Sequence, residues 1–517
     1  MNDNNLYNSY KPLKNHLRQT FVIESLYVIW AYSAYLQFKN PIPRNIEFLQ
    51  SAITSLTMIT GWELELLARE TIINAEESGY FKKTLKKWSY FAGAINKLKD
   101  TENEISKLYI DEKNVLLELY RLAHRQFPWQ TQTSRQYITR YFKIFSYPTI
   151  DEIIQRKIGF SSVQKLYFLG MLFWGFFMKK AFLKFPLSIV GMQEINTQDL
   201  ELFLNFSSKN LNDLKYLLKN DQEINEKFAY TYSSLKAYPI IKLSDYAICP
   251  SPNLLMWRIT NGIYYDICNE KDFGNEFGKA FQKYVGDVAK TGGDKINVYE
   301  EREYYDKKIK TLKNTVDWII EDKTAALFIE CKTKRLTILA KSELKSQADL
   351  SRCLNTLSDA VIQVYKTAID YSENRYPQFG FKQERKIYPL IVTLEDWYIF
   401  GDQLRSALND MVLEKLQLQN ISLSLLSEMP YSVCSVQEFE AITQIISRLG
   451  IDNFMSKKLS NKEWRVWDFN EYCKSAFPEE YRETKFLFAA DFNKIFSERT
   501  IEELNLRKGM DNNEILD

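Results

Sequence analysis

Residues 315–335 read TVDWIIEDKTAALFIECKTKR: two apolar runs joined by a polar turn, with an aspartate early in the first run and Glu-Cys-Lys closing the second. Apolar runs of this length, bounded by turn residues, predict a β-hairpin. With the turn centred on Glu321–Thr324, Ile320 pairs with Ala325 and Asp317 falls opposite Phe328. Strand side chains alternate faces, so Phe328, Glu330 and Lys332 share the face of Asp317. Glu330 is then the diagonal neighbour of Asp317, within reach of a shared ion. Two carboxylates at the ends of apolar strands are costly unless something positive lies between them. A hard divalent cation, Mg²⁺ or Mn²⁺, suits such oxygen ligands, and the backbone carbonyl of Cys331 is expected to add one more. Lys332 would orient or deprotonate a water and stabilise developing negative charge. The plainer reading makes Asp317 and Glu330 strand-end charges paired with Lys332 or Lys334 on a solvated face. Glu-x-Lys does not choose between the two, because at least five such triplets occur, beginning at Glu321, Glu330, Glu343, Glu384 and Glu483.

The elements on either side weigh more. Residues 274–290, GNEFGKAFQKYVGDVAK, space Phe277, Phe281, Tyr284, Val285 and Val288 as one helical face. INVYEEREY (296–304) is strand-like, and the two runs of the hairpin follow. Residues 341–374 form a long helix with Leu354, Leu357, Val361, Tyr365 and Ala368 on one side. KIYPLIVTLE (386–395) is a mostly apolar, buried strand. The order is α-β-β-β-α-β, with Asp on the second strand and Glu-x-Lys on the third.

That arrangement, over residues 274–395, resembles the PD-(D/E)XK nuclease superfamily. The resemblance implies a restriction-endonuclease-like α/β domain: an αβββαβ core whose mixed sheet is flanked by helices. It also implies that Asp317 and Glu330 bind the metal and that Lys332 is the catalytic lysine. Members commonly carry a glutamate on the first helix in a Gly-x-x-Phe-Glu context, where this chain has GKAFQKYV and therefore Gln282. Glu276, in GNEFG, is the other residue that could serve, and Gln363 on the long helix matches a glutamine often found near such sites. Val316 stands where the pattern's proline would be. YPLIVTLEDWYIF is similar in texture to bacterial defence-type members, which implies a role against phage or plasmids.

The whole chain has 517 residues, more than one core usually needs, and reads as multidomain. Residues 1–240 form an all-α region, with only Gly61, Gly79 and Gly93 in the first 150, and would sense, bind nucleic acid or bind a partner. Within it Gly159 is placed to end one helix and Ser161 to cap the next. Residues 241–450 form the nuclease-like domain, and 451–517 a mixed or helical C-terminal extension. Net charge is +2, so any nucleic-acid footprint must be local. Lys307, Lys308, Lys310 and Lys313 before the second strand, with Lys334, Arg335 and Lys341 after the third, would make a phosphate-tracking rim. Asp306, Glu321 and Asp322 among them fit an ordinary solvated face as well.

With only His16 and His124, histidine-activated nucleophiles and zinc sites have little to draw on. Six scattered cysteines point to reduced thiols. The first twenty residues lack the order of a signal peptide, and the apolar run 166–178 is too short to span a bilayer. A cytoplasmic protein without membrane contact is expected. The function expected is Mg²⁺-dependent endonuclease action, on DNA in preference to RNA, with a second protein subunit or a homo-oligomer as partner. The competing reading is a non-catalytic nucleic-acid-binding or scaffold subunit that retains the fold, for which Gln282 is the best support.

Overall fold

Up to Glu270 the chain is mainly helical in the computed structural model, which describes residues 3–48, 59–79, 83–110, 115–186, 196–306, 309–333, 347–376, 385–398 and 401–496. Helices α1 (Val22–Phe38), α2 (Gly61–Asn74) and α3 (Val163–Lys179) illustrate how the aromatic load is used. α3 carries the longest apolar run and buries Leu166, Tyr167, Phe168, Leu169, Phe173 and Phe177. Among the described residues no helix is long and apolar enough to cross a membrane. Gly159, at φ +94°, ends the preceding helix Pro148–Ile158 as its sequence suggests. The cap of α3 is Ser162 rather than Ser161: its Oγ accepts the Lys165 N–H at 3.1 Å.

The region is not all-α. Four three-residue strands, β1 (Phe182–Lys184), β2 (Ser208–Asn210), β3 (Ile240–Lys242) and β4 (Tyr246–Ile248), form a small sheet in the order β1-β4-β3-β2. Runs this short carry no readable alternation, so the sequence reading passed over them.

Two compact units emerge. One takes in residues 1–270, 341–343 and 489–517; the other takes in 271–340 and 344–488. The division thus falls after Glu270 rather than at 240, because Leu254 and its neighbours join the apolar cluster of the first unit. Residues 451–488 belong to the second unit rather than to a separate extension.

The second unit opens with α4 (Phe273–Lys290) and β5 (Asn297–Glu300). The strand expected over 296–304 stops at Glu300, and a two-stranded ribbon, β6 (Glu303–Asp306) and β7 (Thr311–Asn314), follows. Then come β8 (Trp318–Glu321), β9 (Ala325–Lys332), α5 (Gln347–Ser372), β10 (Lys386–Thr393), α6 (Gly401–Leu418), β11 (Ser432–Ser435), α7 (Val436–Leu449) and α8 (Ile451–Ser460). The sheet runs β11-β10-β9-β8-β5 and is mixed: β5, β8 and β9 are antiparallel neighbours, whereas β9, β10 and β11 are parallel. Strands β9 and β10 are buried over most of their length, as parallel strands covered on both faces must be.

Each face of the sheet has its helix. Leu357, Val361, Tyr365 and Ala368 of α5 share one apolar cluster with Ile319, Ala326, Phe328 and Ile391 of the sheet. Each buried Leu, Val, Ile or Phe among them contributes roughly 1.5–3 kcal/mol. The alternate residue Trp318 turns to α4, where its indole N–H donates to the Gln282 carbonyl at 2.8 Å. A Cβ at Gly286 would lie 2.0 Å from that ring, so helix and strand can approach this closely only because Gly286 has no side chain.

Candidate active site

The hairpin turn sets everything that follows. Asp322 Oδ1 accepts the N–H of Thr324 (2.7 Å), the hydroxyl of Thr324 (2.6 Å) and the N–H of Ala325 (2.9 Å), while the Asp322 N–H donates to the Ala325 carbonyl. An aspartate that closes its own turn in this way fixes the turn residues as Asp322–Ala325. The turn therefore sits one residue later than Glu321–Thr324, and the pairing moves by two. Ile320 pairs with Leu327 rather than Ala325, and Phe328 pairs with Ile319 rather than Asp317. A shift of two keeps every side chain on its face. One step beyond the Trp318–Ile329 pair, Asp317 lies directly across from Glu330 instead of diagonal to it.

The two carboxylates are bound differently. Asp317 Oδ2 accepts the backbone N–H of Cys331 at 2.6 Å. Glu330 Oε1 accepts the Lys332 ammonium at 2.8 Å. Its other oxygen, Oε2, is buried and has no hydrogen-bond partner, on a residue only 3% exposed. Burial raises the pKa of both carboxyls above the usual range, and for Glu330 the facing Asp317 charge adds to it. Burial also opposes the charge on Lys332, but Glu330 and Asp317 outweigh it and its pKa is raised. Two crowded carboxylates with one ammonium leave a net negative site that favours a proton or a cation. The Cys331 thiol is pushed well above its ordinary value by burial and by both carboxylates, so it is no thiolate nucleophile. Cys331 meets the site through its N–H, the donor to Asp317.

The sequence reading missed Glu301. Its backbone N–H donates to the Asp317 carbonyl at 2.8 Å, continuing the β5–β8 ladder one step past Glu300–Trp318. Glu301, Asp317 and Glu330 thus occupy one row across three adjacent strands, and the Glu301 charge raises the pKa of both other carboxyls. The signal was present in INVYEEREY, but which of its glutamates faces Asp317 depends on a register that no local pattern supplies. Gln282 reaches the same place from α4: its Nε2 donates to Glu301 Oε2 at 3.4 Å.

The other expected residues lie elsewhere. Glu276 accepts from Lys279 at 2.8 Å on the surface of its own helix. Gln363 is exposed on α5, on the stripe that also exposes Asp359 and Lys366, away from the face packed on the sheet. Lys313 is tied to Asp306 (2.7 Å) and Asp370 (2.9 Å). Lys310 is exposed at the ribbon turn with φ +54°. Lys307, Lys308, Lys334, Arg335 and Lys341 fall outside the described residues. Neither histidine is at the site: His16 stacks on Tyr90 and His124 meets the edge of Tyr120.

As a metal centre the donor set is partial. Among the described residues no three His, Cys, Asp or Glu side chains converge as a ready-made cage. Asp317 and the unpartnered oxygen of Glu330 are nevertheless hard oxygen donors of the kind Mg²⁺ and Mn²⁺ take, and these ions routinely complete their shells with water and substrate. No protein-family model, curated protein or solved structure matches this chain.

Proposed function

We propose that the second unit is a metal-dependent nuclease that hydrolyses phosphodiester bonds, with DNA as the preferred substrate. The observation that carries this reading is the buried Glu330 carboxylate, which faces Asp317 across the hairpin, is held through one oxygen by Lys332 and leaves the other unpartnered. A carboxylate oxygen buried without a donor is costly, and a cation between it and Asp317 would relieve that cost. The element order α4-β5-β8-β9-α5-β10 around a mixed sheet adds to the case, being the order of a restriction-endonuclease-like core.

Asp317 and Glu330 would hold the ion, with the Cys331 N–H fixing the Asp317 carboxylate. When bound, Mg²⁺ or Mn²⁺ would polarise a phosphate oxygen and acidify a water. Lys332, half-buried beside Glu330, is positioned to orient that water or to neutralise charge gathering on the phosphate. Service in defence against phage or plasmids, in the cytoplasm and with a further subunit or a second copy, belongs to the same proposal.

A non-catalytic nucleic-acid-binding or scaffold subunit is the second reading, and Gln282 in place of a helix carboxylate is the observation that favours it. Cleavage of single- and double-stranded DNA and RNA, with and without divalent metal, separates the two. Wild type is expected to cut only with metal, and Asp317→Ala and Lys332→Ala to lose at least about a hundredfold in rate. Equal cleavage by all three proteins, or none by wild type on any substrate, would remove the nuclease assignment.

A further inference from the structure

Resting on the metal-dependent reading, we infer that Glu301 is a further carboxylate of this site, held by Gln282 and acting on the bound cation through an intervening water. Three observations lead there. Glu301 is fixed beside Asp317 by the backbone, because its N–H donates to the Asp317 carbonyl at 2.8 Å. Its carboxylate accepts a long hydrogen bond, 3.4 Å, from the Gln282 amide, and the backbone of α4 at Gln282 is fixed because its carbonyl accepts the Trp318 indole N–H. The row it completes ends in the buried Oε2 of Glu330, which has no hydrogen-bond partner although Lys332 holds the other oxygen.

Glu301 stands in one row with Asp317 and Glu330 across three neighbouring strands. Its side chain does not converge with theirs as a third direct ligand among the described residues. A carboxylate that adds charge to an ion site without touching the ion does so by accepting a hydrogen bond from a ligand or a bound water. Residues in that position typically contribute about 10–100-fold in metal affinity. Gln282 then has a defined part as a positioning residue: it donates to Glu301 and keeps that carboxylate turned to the row. An acid at position 282 would sit within about one hydrogen-bond length of the Glu301 carboxylate. The charge of the site can therefore be supplied from either position.

Calorimetric titration of the full chain with Mn²⁺ tests this without recourse to cleavage. Wild type should bind, and Asp317→Asn should abolish binding. Glu301→Gln keeps the shape of the side chain and an oxygen to accept from Gln282, yet should weaken binding by about tenfold. Gln282→Ala should weaken it by a smaller factor, about threefold, with an unchanged melting temperature in chelator. The decisive arm is the double variant Glu301→Gln with Gln282→Glu, expected to return affinity to within about threefold of wild type, which a merely structural role could not do. If Glu301→Gln binds like wild type while Asp317→Asn does not bind, Glu301 is outside the site and the metal reading stands. If wild type itself takes up no Mn²⁺, the metal reading falls and the place of Glu301 in it falls too.

Discussion

Asp322 decides the geometry of a site to which it contributes no ligand. By accepting three hydrogen bonds from Thr324 and Ala325 it selects a turn, the turn selects a register, and the register brings Asp317 opposite Glu330. The same side chain serves a second purpose through Oδ2, which accepts the Ile451 N–H at 2.7 Å at the start of α8. Elsewhere a single side chain carries an electrostatic cost that can be measured. Lys458 of α8 is buried, and its Nζ donates to the carbonyls of Trp464 and Trp467, both at 2.7 Å, between the rings of Phe469 and Tyr472. Burial lowers its pKa to about 8, with the Arg405 charge adding and those of Glu438 and Asp468 opposing. A neutral amine still has the two N–H groups that the carbonyls need. Since the folded pKa lies below the unfolded one, the unfolded chain binds the extra proton between the two values, so stability contributed by this group rises with pH. Wild type should therefore gain on Lys458→Met by about 2 kcal/mol between about pH 7 and about pH 9.5. Denaturant unfolding across that range measures the gap, and parallel curves for the two proteins would refute the assignment.

Packing of α4 on β8 shows how an element is held where the site needs it. Trp318 enters a space that exists only because position 286 is glycine, and its indole N–H fixes the carbonyl of Gln282. Gly286→Ala should lower stability by about 1–3 kcal/mol, since the ring is enclosed and cannot step aside. Gly278, in the same helix, has open space where a methyl group would stand, with nothing within 4 Å, so Gly278→Ala should instead raise stability by about 0.5–1 kcal/mol through helix propensity. Thermal melting of the pair gives the comparison, and a Gly286→Ala protein as stable as wild type would show that the close approach is not a constraint. The same elements mark what a sequence can disclose. α4, α5, β9 and β10 are long and periodic, and their existence and order were readable from apolar spacing alone. The ribbon β6–β7 was not, because its anchoring is by charge: Tyr304 donates to Asp370 at 2.5 Å, and Asp306 and Asp370 are shared by Lys313 and Arg375. Those partners are far apart in sequence and only the fold joins them. At the site, strand parity was enough to put Asp317, Glu330 and Lys332 on one face, while Glu301 needed the β5–β8 register.

Each unit has an apolar cluster of its own among the described residues. The apolar cluster of the first unit draws on residues from Leu6 to Leu254, and that of the second on residues from Tyr304 to Tyr431. Each of these clusters lies within one unit, as a segment that folds alone requires. In the second unit the packing continues past residue 450. Phe454, Phe469, Tyr472 and Phe477 pack on one another, the α8 N-terminus is bound by Asp322, and Tyr284 of α4 donates to Glu440 of α7 at 2.8 Å. A fragment cut at 450 would therefore lose this aromatic cluster together with α8, uncover the surfaces they pack on and free the hairpin turn from α8, whereas one spanning 271–488 keeps every one of these contacts. The 271–488 fragment is expected to unfold in a single cooperative transition, and the 271–450 fragment to lose cooperativity or aggregate. Mn²⁺ should raise the melting temperature of the longer fragment, because a ligand that binds only the folded form stabilises it by mass action. Scanning calorimetry of both fragments, with Mn²⁺ and with chelator, reads the two effects separately. A broad, non-cooperative melt of 271–488 would mean that its core depends on the rest of the chain, and a cooperative melt unmoved by Mn²⁺ would confine the disagreement to the carboxylate row of Glu301, Asp317 and Glu330.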